Sequence, residues 1–130
     1  PEFTKTVCEI TINKKEIKKL YLEIADTEKK RSYGLMNREE IMTDNGMLFI
    51  WDKSEKRNFW MKNTLISLDL IYIKKSGLID SIYQDLEPMS LKKIKSKSKV
   101  KAVLEIPGGD SRLYGINNDS FINIDMIEGN

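Results

Sequence analysis

From Thr6 to Ile12 the side chains alternate, with Thr6, Cys8, Ile10 and Ile12 on one side and Val7, Glu9 and Thr11 on the other. This is the two-residue period of a half-buried strand. Asn13-Lys14-Lys15 supplies a hairpin turn into a second strand whose Leu20, Leu22 and Ile24 share a face. Asp26 or Thr27 is placed to cap a short helix running to Tyr33, and Gly34 suits its stop. Gly46–Trp51 and Arg57–Met61 read as two strands joined by the polar stretch Asp52–Lys56. Leu65–Lys74 is the most hydrophobic segment and is expected to be central. Lys75-Ser76-Gly77 turns into Leu78–Leu86. A lysine-rich loop, Lys92–Lys101, then leads into the strand Lys101–Ile106, which Pro107-Gly108-Gly109 ends. Asp110 starts a second short helix closing at Gly115, and Phe121–Ile127 alternates as a last strand.

About eight short strands and two short helices predict a mainly β, β-rich α+β domain, a single antiparallel barrel or sandwich. Hairpin-like connections favour antiparallel pairing throughout. The chain has 130 residues, 40% hydrophobic and 32% charged, enough for one core and too evenly mixed for disorder. No apolar run approaches the roughly 18 residues of a membrane-spanning helix. Pro1-Glu2-Phe3 reads as a cloning scar, which leaves residues 4–130 as the domain.

Composition narrows the chemistry. Cys8 is the single cysteine, so no intramolecular disulfide forms, and there is no histidine. That absence removes the commonest metal ligand, the usual general base near neutral pH, and every Ser-His or Cys-His pair. A net charge of +2 is too small to point to nucleic acid.

The strings Leu22-Glu23-Ile24-Ala25-Asp26-Thr27, Arg31, and Gly34-Leu35-Met36-Asn37-Arg38 are followed by Gly46-Met47-Leu48-Phe49. Then come Phe59-Trp60-Met61-Lys62-Asn63-Thr64 and Leu68-Asp69, with Val103-Leu104-Glu105 and Tyr114-Gly115-Ile116 further on. Together they resemble the DUF192 family of uncharacterised bacterial and archaeal proteins across essentially the whole domain. Where the family usually has Pro this chain has Ser67, and Asn118-Asp119 stands where a Gly-Asp turn is usual; both concern loop geometry. The resemblance implies a small β-rich domain, often exported behind a signal peptide or lipid anchor. It implies no activity, cofactor or catalytic residue.

Several groups of residues carry candidate chemistry. In a strand Arg57–Met61, Phe59 and Met61 face one way with Arg57, while Asn58 and Trp60, followed by Lys62, face the other. Beside Asn63 and Asp69 that second row would make a polar pocket with an aromatic floor, as at sugar or peptide sites. Trp60 as core filler is the plainer alternative. Asp69, between Leu68 and Leu70, needs a partner if buried, with Lys62, Arg38 and Arg57 as candidates. Glu105 poses the same question, and if the two carboxylates converge they would form an acid/base pair. Met36, Met47 and Met61 are soft ligands suited to Cu(I), or else adaptable core filler. The six lysines between Lys92 and Lys101 suit phosphate, anionic lipid or acidic glycan, or else form a solvated, mobile loop.

The reading that follows is a non-catalytic binding or structural domain of the bacterial cell envelope, exported, without a cofactor. Its partner would be an envelope protein or a glycan, and not nucleic acid. Its binding residues are Arg38, Arg57, Trp60, Lys62, Asn63 and Asp69. The alternatives are a glycan- or peptide-acting hydrolase or lyase using Asp69 and Glu105, and a soft-metal binder using Met36, Met47 and Met61.

Overall fold

The computed structural model of the chain describes residues 1–128. Strands β1 (Thr4–Thr11) and β2 (Ile17–Ala25) form the expected hairpin, with Thr4 opposite Ile24 and Thr11 opposite Ile17. Its turn is closed by the Asn13 side chain, whose Oδ1 accepts from the N–H groups of Lys15 at 2.9 Å and Glu16 at 3.1 Å. Helix α1 (Glu28–Tyr33) starts where Thr27 Oγ1 accepts from Lys30 N–H at 3.2 Å. It stops at Gly34, whose φ of 52° lies in the region that favours glycine. The crossover through α1 carries the chain back along the sheet, so β3 (Asn45–Glu55) lies parallel to β2, with Leu22 opposite Gly46. Uniformly antiparallel pairing is therefore corrected at this one place among the described strands.

The remaining elements are β4 (Asn58–Phe59), β5 (Leu68–Ile73), β6 (Ile79–Leu86), β7 (Ile94–Lys95), β8 (Val100–Pro107), α2 (Asp110–Tyr114), β9 (Phe121–Ile122) and α3 (Asp125–Glu128). Seven strands make one sheet in the order β6-β5-β8-β3-β2-β1-β9, and β4 pairs with β7 in a separate ribbon. Strand content is 45% against 10% helix, so the mainly β class holds. The sheet curls until its edges meet. Leu78 bridges to Phe121, and Ile122 N–H donates to Gly77 C=O at 3.0 Å. At that seam Gly77 has φ +92°, and a Cβ there would stand 2.4 Å from Ile122 O and 2.5 Å from the Phe121 ring. Only glycine fits.

Curling gives the sheet an inner and an outer face, and each has its own core. Cys8, Ile10, Leu20, Leu22, Leu48, Ile71, Leu104 and Ile106 fill the inside. Met47, Phe49, Met61, Leu68, Leu70, Tyr72 and Val103 make a second cluster outside, under the β4–β7 ribbon. Strands β5 and β8 are covered on both faces, which is why β5 is buried at every position, whereas β1 and β2 alternate. The hydrophobicity of Leu65–Lys74 thus reflects two covered faces and not a middle position; β3 is the middle strand.

Three segments depart from the expected elements. Strand β3 runs on to Glu55, through the stretch expected as a loop; β4 keeps two residues of the expected Arg57–Met61; and the last strand ends at Ile122, giving way to the short turn of α3. The lysine segment is also no mobile loop. Ile94 is buried, Tyr72 and Tyr83 hydroxyls donate to the C=O of Ile94 (2.5 Å) and Lys95 (2.6 Å), and the Asp80 carboxylate accepts from the N–H groups of Lys97 and Ser98.

Asp69 is fully buried and has none of the expected cationic partners. Its Oδ1 accepts from the N–H groups of Asp85 (2.8 Å) and Gly109 (3.0 Å), and its Oδ2 from Ser111 N–H (2.9 Å). Asp85 sits where the β5–β6 register shifts and has a φ of 52°. Gly109 and Ser111 belong to the start of α2. One carboxylate thus joins the β6 bulge to the β8–α2 turn. Replacing Asp69 by Asn leaves a single acceptor and turns an amide N–H₂ toward an N–H. Urea unfolding is expected to show Asp69→Asn destabilised by about 2–4 kcal/mol with the fold retained. A loss under roughly 1 kcal/mol would contradict this role.

Candidate functional site

A cavity of about 480 Å³ opens on the outer face of the sheet, between α1 and the β4–β7 ribbon. This is the range of small-molecule sites. Its walls are aromatic, with Phe49 and Trp51 from β3, Phe59 from β4, and Trp60 just beyond. Phe59 meets Phe49 edge-on at 5.0 Å between ring centroids and Trp51 at 6.1 Å, a geometry that fixes the wall. Arg31 reaches from α1 to donate to Ile50 C=O at 2.8 Å, and its guanidinium lies over the Trp51 ring at 5.5 Å. Trp60, 49% exposed, stands at the mouth and not at the floor, with the Lys62 ammonium 5.2 Å from its ring centroid.

Glu105 is a buried carboxyl inside, with the polar side chains of Glu28, Arg31 and Thr64 also on the lining. It lies opposite Met47 on one side and Leu70 on the other, so it shares the outer face with the aromatic cluster. It is 5% exposed and lines the cavity. Among the described residues its carboxyl makes no hydrogen bond or ion pair. Burial pushes it up from an ordinary 4.5 to about 8, so at neutral pH it is a protonated acid able both to donate and to accept.

The structure separates the residues expected to act together. Asp69 is adjacent to Leu70, which pairs with Glu105, so the two carboxylates project to opposite faces of the sheet. They form no acid/base pair, and the hydrolase or lyase geometry is corrected on that ground. Asn58, Trp60 and Lys62 line the cavity; Arg38, Arg57, Asn63 and Asp69 do not. Arg38 instead makes a two-point ion pair with Glu23. Arg57 lies 4.2 Å from the Trp51 ring centroid and 3.5 Å from Glu55. Asn63 takes a left-handed turn conformation, φ 56°, and its C=O accepts from Asn37 N–H. Met47 and Met61, 0% and 1% exposed, fill the outer core. Met36 lines the cavity, with Asn63 Nδ2 at 4.0 Å from its sulfur.

Arg31, Phe49 and Trp51 were not singled out from sequence as site residues. A signal was present for the first two. Arg31 and Met36, Phe49, Trp60 and Lys62, and Glu105 come from four separate strings that carried the family resemblance, and in three dimensions they converge on this one cavity.

Comparison with known proteins bears out the family resemblance. The DUF192 family model, described as Uncharacterized ACR, matches residues 9–124. Among solved structures, a proposed transcription regulator from Sinorhizobium meliloti 1021 superimposes with a TM-score of 0.91 at 28% identity, covering 95% of this chain and 95% of that one. A protein of unknown function from Novosphingobium aromaticivorans DSM 12444 gives 0.87 at 27% identity, covering 92% and 84%. No curated protein matches. The family match runs from within β1 to beyond β9, and the chain belongs to the DUF192 family.

Proposed function

We propose that this chain is a non-catalytic binding domain of the cell envelope, and that its ligand is a saccharide unit held in the cavity between α1 and the β4–β7 ribbon. The observation that carries the reading is Glu105, a buried acid without a partner among the described residues, facing a cavity walled by aromatic rings. The Glu105 oxygens are not among the fully enclosed polar atoms without a partner, which among the described residues are Ser54 Oγ and Arg57 Nε; they open on the cavity, where a ligand hydroxyl can both donate to and accept from them. The aromatic rings suit the apolar face of a sugar ring.

Two expected outcomes follow from this site. The first is a pH dependence of stability. In the unfolded chain Glu105 ionises near 4.5, while in the folded protein it stays protonated to about 8. The folded state therefore holds the extra proton between those values, and stability falls as pH rises through that window. Glu105→Gln should flatten this slope and be the more stable protein at pH 8 by a few kcal/mol, on the order of 1 kcal/mol for each unit. Thermal unfolding across the window measures it, and an unchanged slope would remove Glu105 as its source.

The second concerns ligand. Calorimetric titration with neutral oligosaccharide fragments of envelope polymers should show binding that is level at acid pH and weakens as Glu105 ionises above about 8. Glu105→Ala should weaken it by roughly 1–3 kcal/mol, and Trp60→Ala, at the exposed mouth, by about 1 kcal/mol. Binding indifferent to both substitutions would place the ligand elsewhere.

A further inference from the structure

Beside the mouth of the cavity two segments lie together and expose large apolar side chains to solvent. Trp60 (49% exposed) and Leu65 (46%) belong to one, Met89 (51%) and Leu91 (63%) to the other. Hydrogen bonds hold the segments side by side, Met61 N–H to Ser90 C=O and Met89 N–H to Thr64 C=O, each 2.9 Å. The same ribbon carries Lys62, Lys92, Lys93, Lys95, Lys97 and Lys99, all exposed, with Glu87 as the one carboxylate between Trp60–Leu65 and Glu87–Lys99. We infer that this ribbon, with Trp60, Leu65, Met89 and Leu91 flanked by the lysine row, is a docking surface for an anionic lipid bilayer.

Four apolar tips alone would be an unassigned sticky patch, and the lysines alone a solvated face. Together they match the chemistry of a bilayer interface. Aliphatic and aromatic tips enter the boundary between headgroups and acyl chains, and lysines pair with lipid phosphates at its edge. The ribbon is also built to present them. Ile94 is buried beneath it, the Tyr72 and Tyr83 hydroxyls anchor its backbone, and the Asp80 carboxylate clamps the turn at Lys97 and Ser98. The lysines therefore stand on a fixed platform, and little ordering is needed when they bind.

Other partners fit less well. The helices have six, five and four residues, too short to fill a DNA groove, and Leu65, Met89 and Leu91 have no counterpart on a phosphate backbone. The cores of protein–protein interfaces are depleted in lysine. Among the described residues no helix is long and apolar enough to cross a membrane.

The test is co-sedimentation of the full chain with vesicles of pure phosphatidylcholine and of phosphatidylcholine mixed with phosphatidylglycerol. Binding is expected to the anionic vesicles and not to the neutral ones. The triple variant K92E/K93E/K95E should lower it by on the order of a hundredfold. L65S/L91S should lower it by at least about tenfold. All five positions are exposed, and unfolding temperatures near the parent's confirm that the variants are folded. In a Trp51→Phe background the Trp60 emission should shift to the blue on anionic vesicles. Glu105→Ala, which weakens saccharide binding, should leave vesicle binding unchanged, and that separates this surface from the saccharide site. No binding to anionic vesicles overturns the inference, as does binding that L65S/L91S leaves intact. Lysine-dependent binding to duplex DNA without vesicle binding overturns it in favour of nucleic acid.

Discussion

The fold turns on one buried anion. Taking the Asp69 carboxylate out of water costs several kcal/mol, and three charge-assisted bonds from backbone amides offset that cost. Those amides come from the β6 bulge, the end of the β8 turn and the first residues of α2. A carboxylate in that position therefore specifies how three consecutive pieces of backbone meet. With the β5–β8 register held there, Leu70 falls opposite Glu105, and Glu105 is committed to the outer face. A slip by one residue would turn Glu105 into the inner core and bring Leu104 or Ile106 round to face the cavity.

Two acidic residues, each on a covered strand, are thus treated in opposite ways. Asp69 has its lone pairs filled by the protein and acts as architecture. Glu105 is surrounded by apolar groups that raise its proton affinity, and it has no hydrogen-bond partner among the described residues. Burial alone does not distinguish the two residues; hydrogen bonding does.

Much of the fold was legible in the sequence because it is local. Alternation in β1 and β2, the Asn13 turn, the Thr27 cap and the Gly34 stop are each decided by neighbours a few residues away. What escaped depends on distant chain. Continuous apolar runs say that a strand is covered on both faces, but not where it lies in the sheet, and so the expectation of Leu65–Lys74 at the centre gives way to β3. The parallel β2–β3 pair follows from the crossover through α1, which hairpin logic does not anticipate. Asp69 was assigned a cationic partner because side chains are visible in a sequence, whereas its real partners are main-chain N–H groups that every residue but proline carries. That Asp69 and Glu105 face apart follows from pairing parity, which is unreadable until the register is known. The cavity was half legible. Asn58, Trp60 and Lys62 follow from strand alternation, but Arg31 and Phe49 join them only once α1 folds over β3.

The seam at Gly77 has a consequence in time. Strand β9 pairs with β1, Ile10 opposite Ile122, and Phe121 meets Leu78 across the closing edge. The sheet therefore ends on a strand made at the far end of the chain from its partner. On the ribosome, the outer edge of β1 and the edge of β6 must wait for their partner until Phe121 and Ile122 have cleared the exit. Such contacts between distant parts of a sequence form slowly. Until they do, the nascent chain exposes two open edges and the lining of its barrel to its neighbours in the cell.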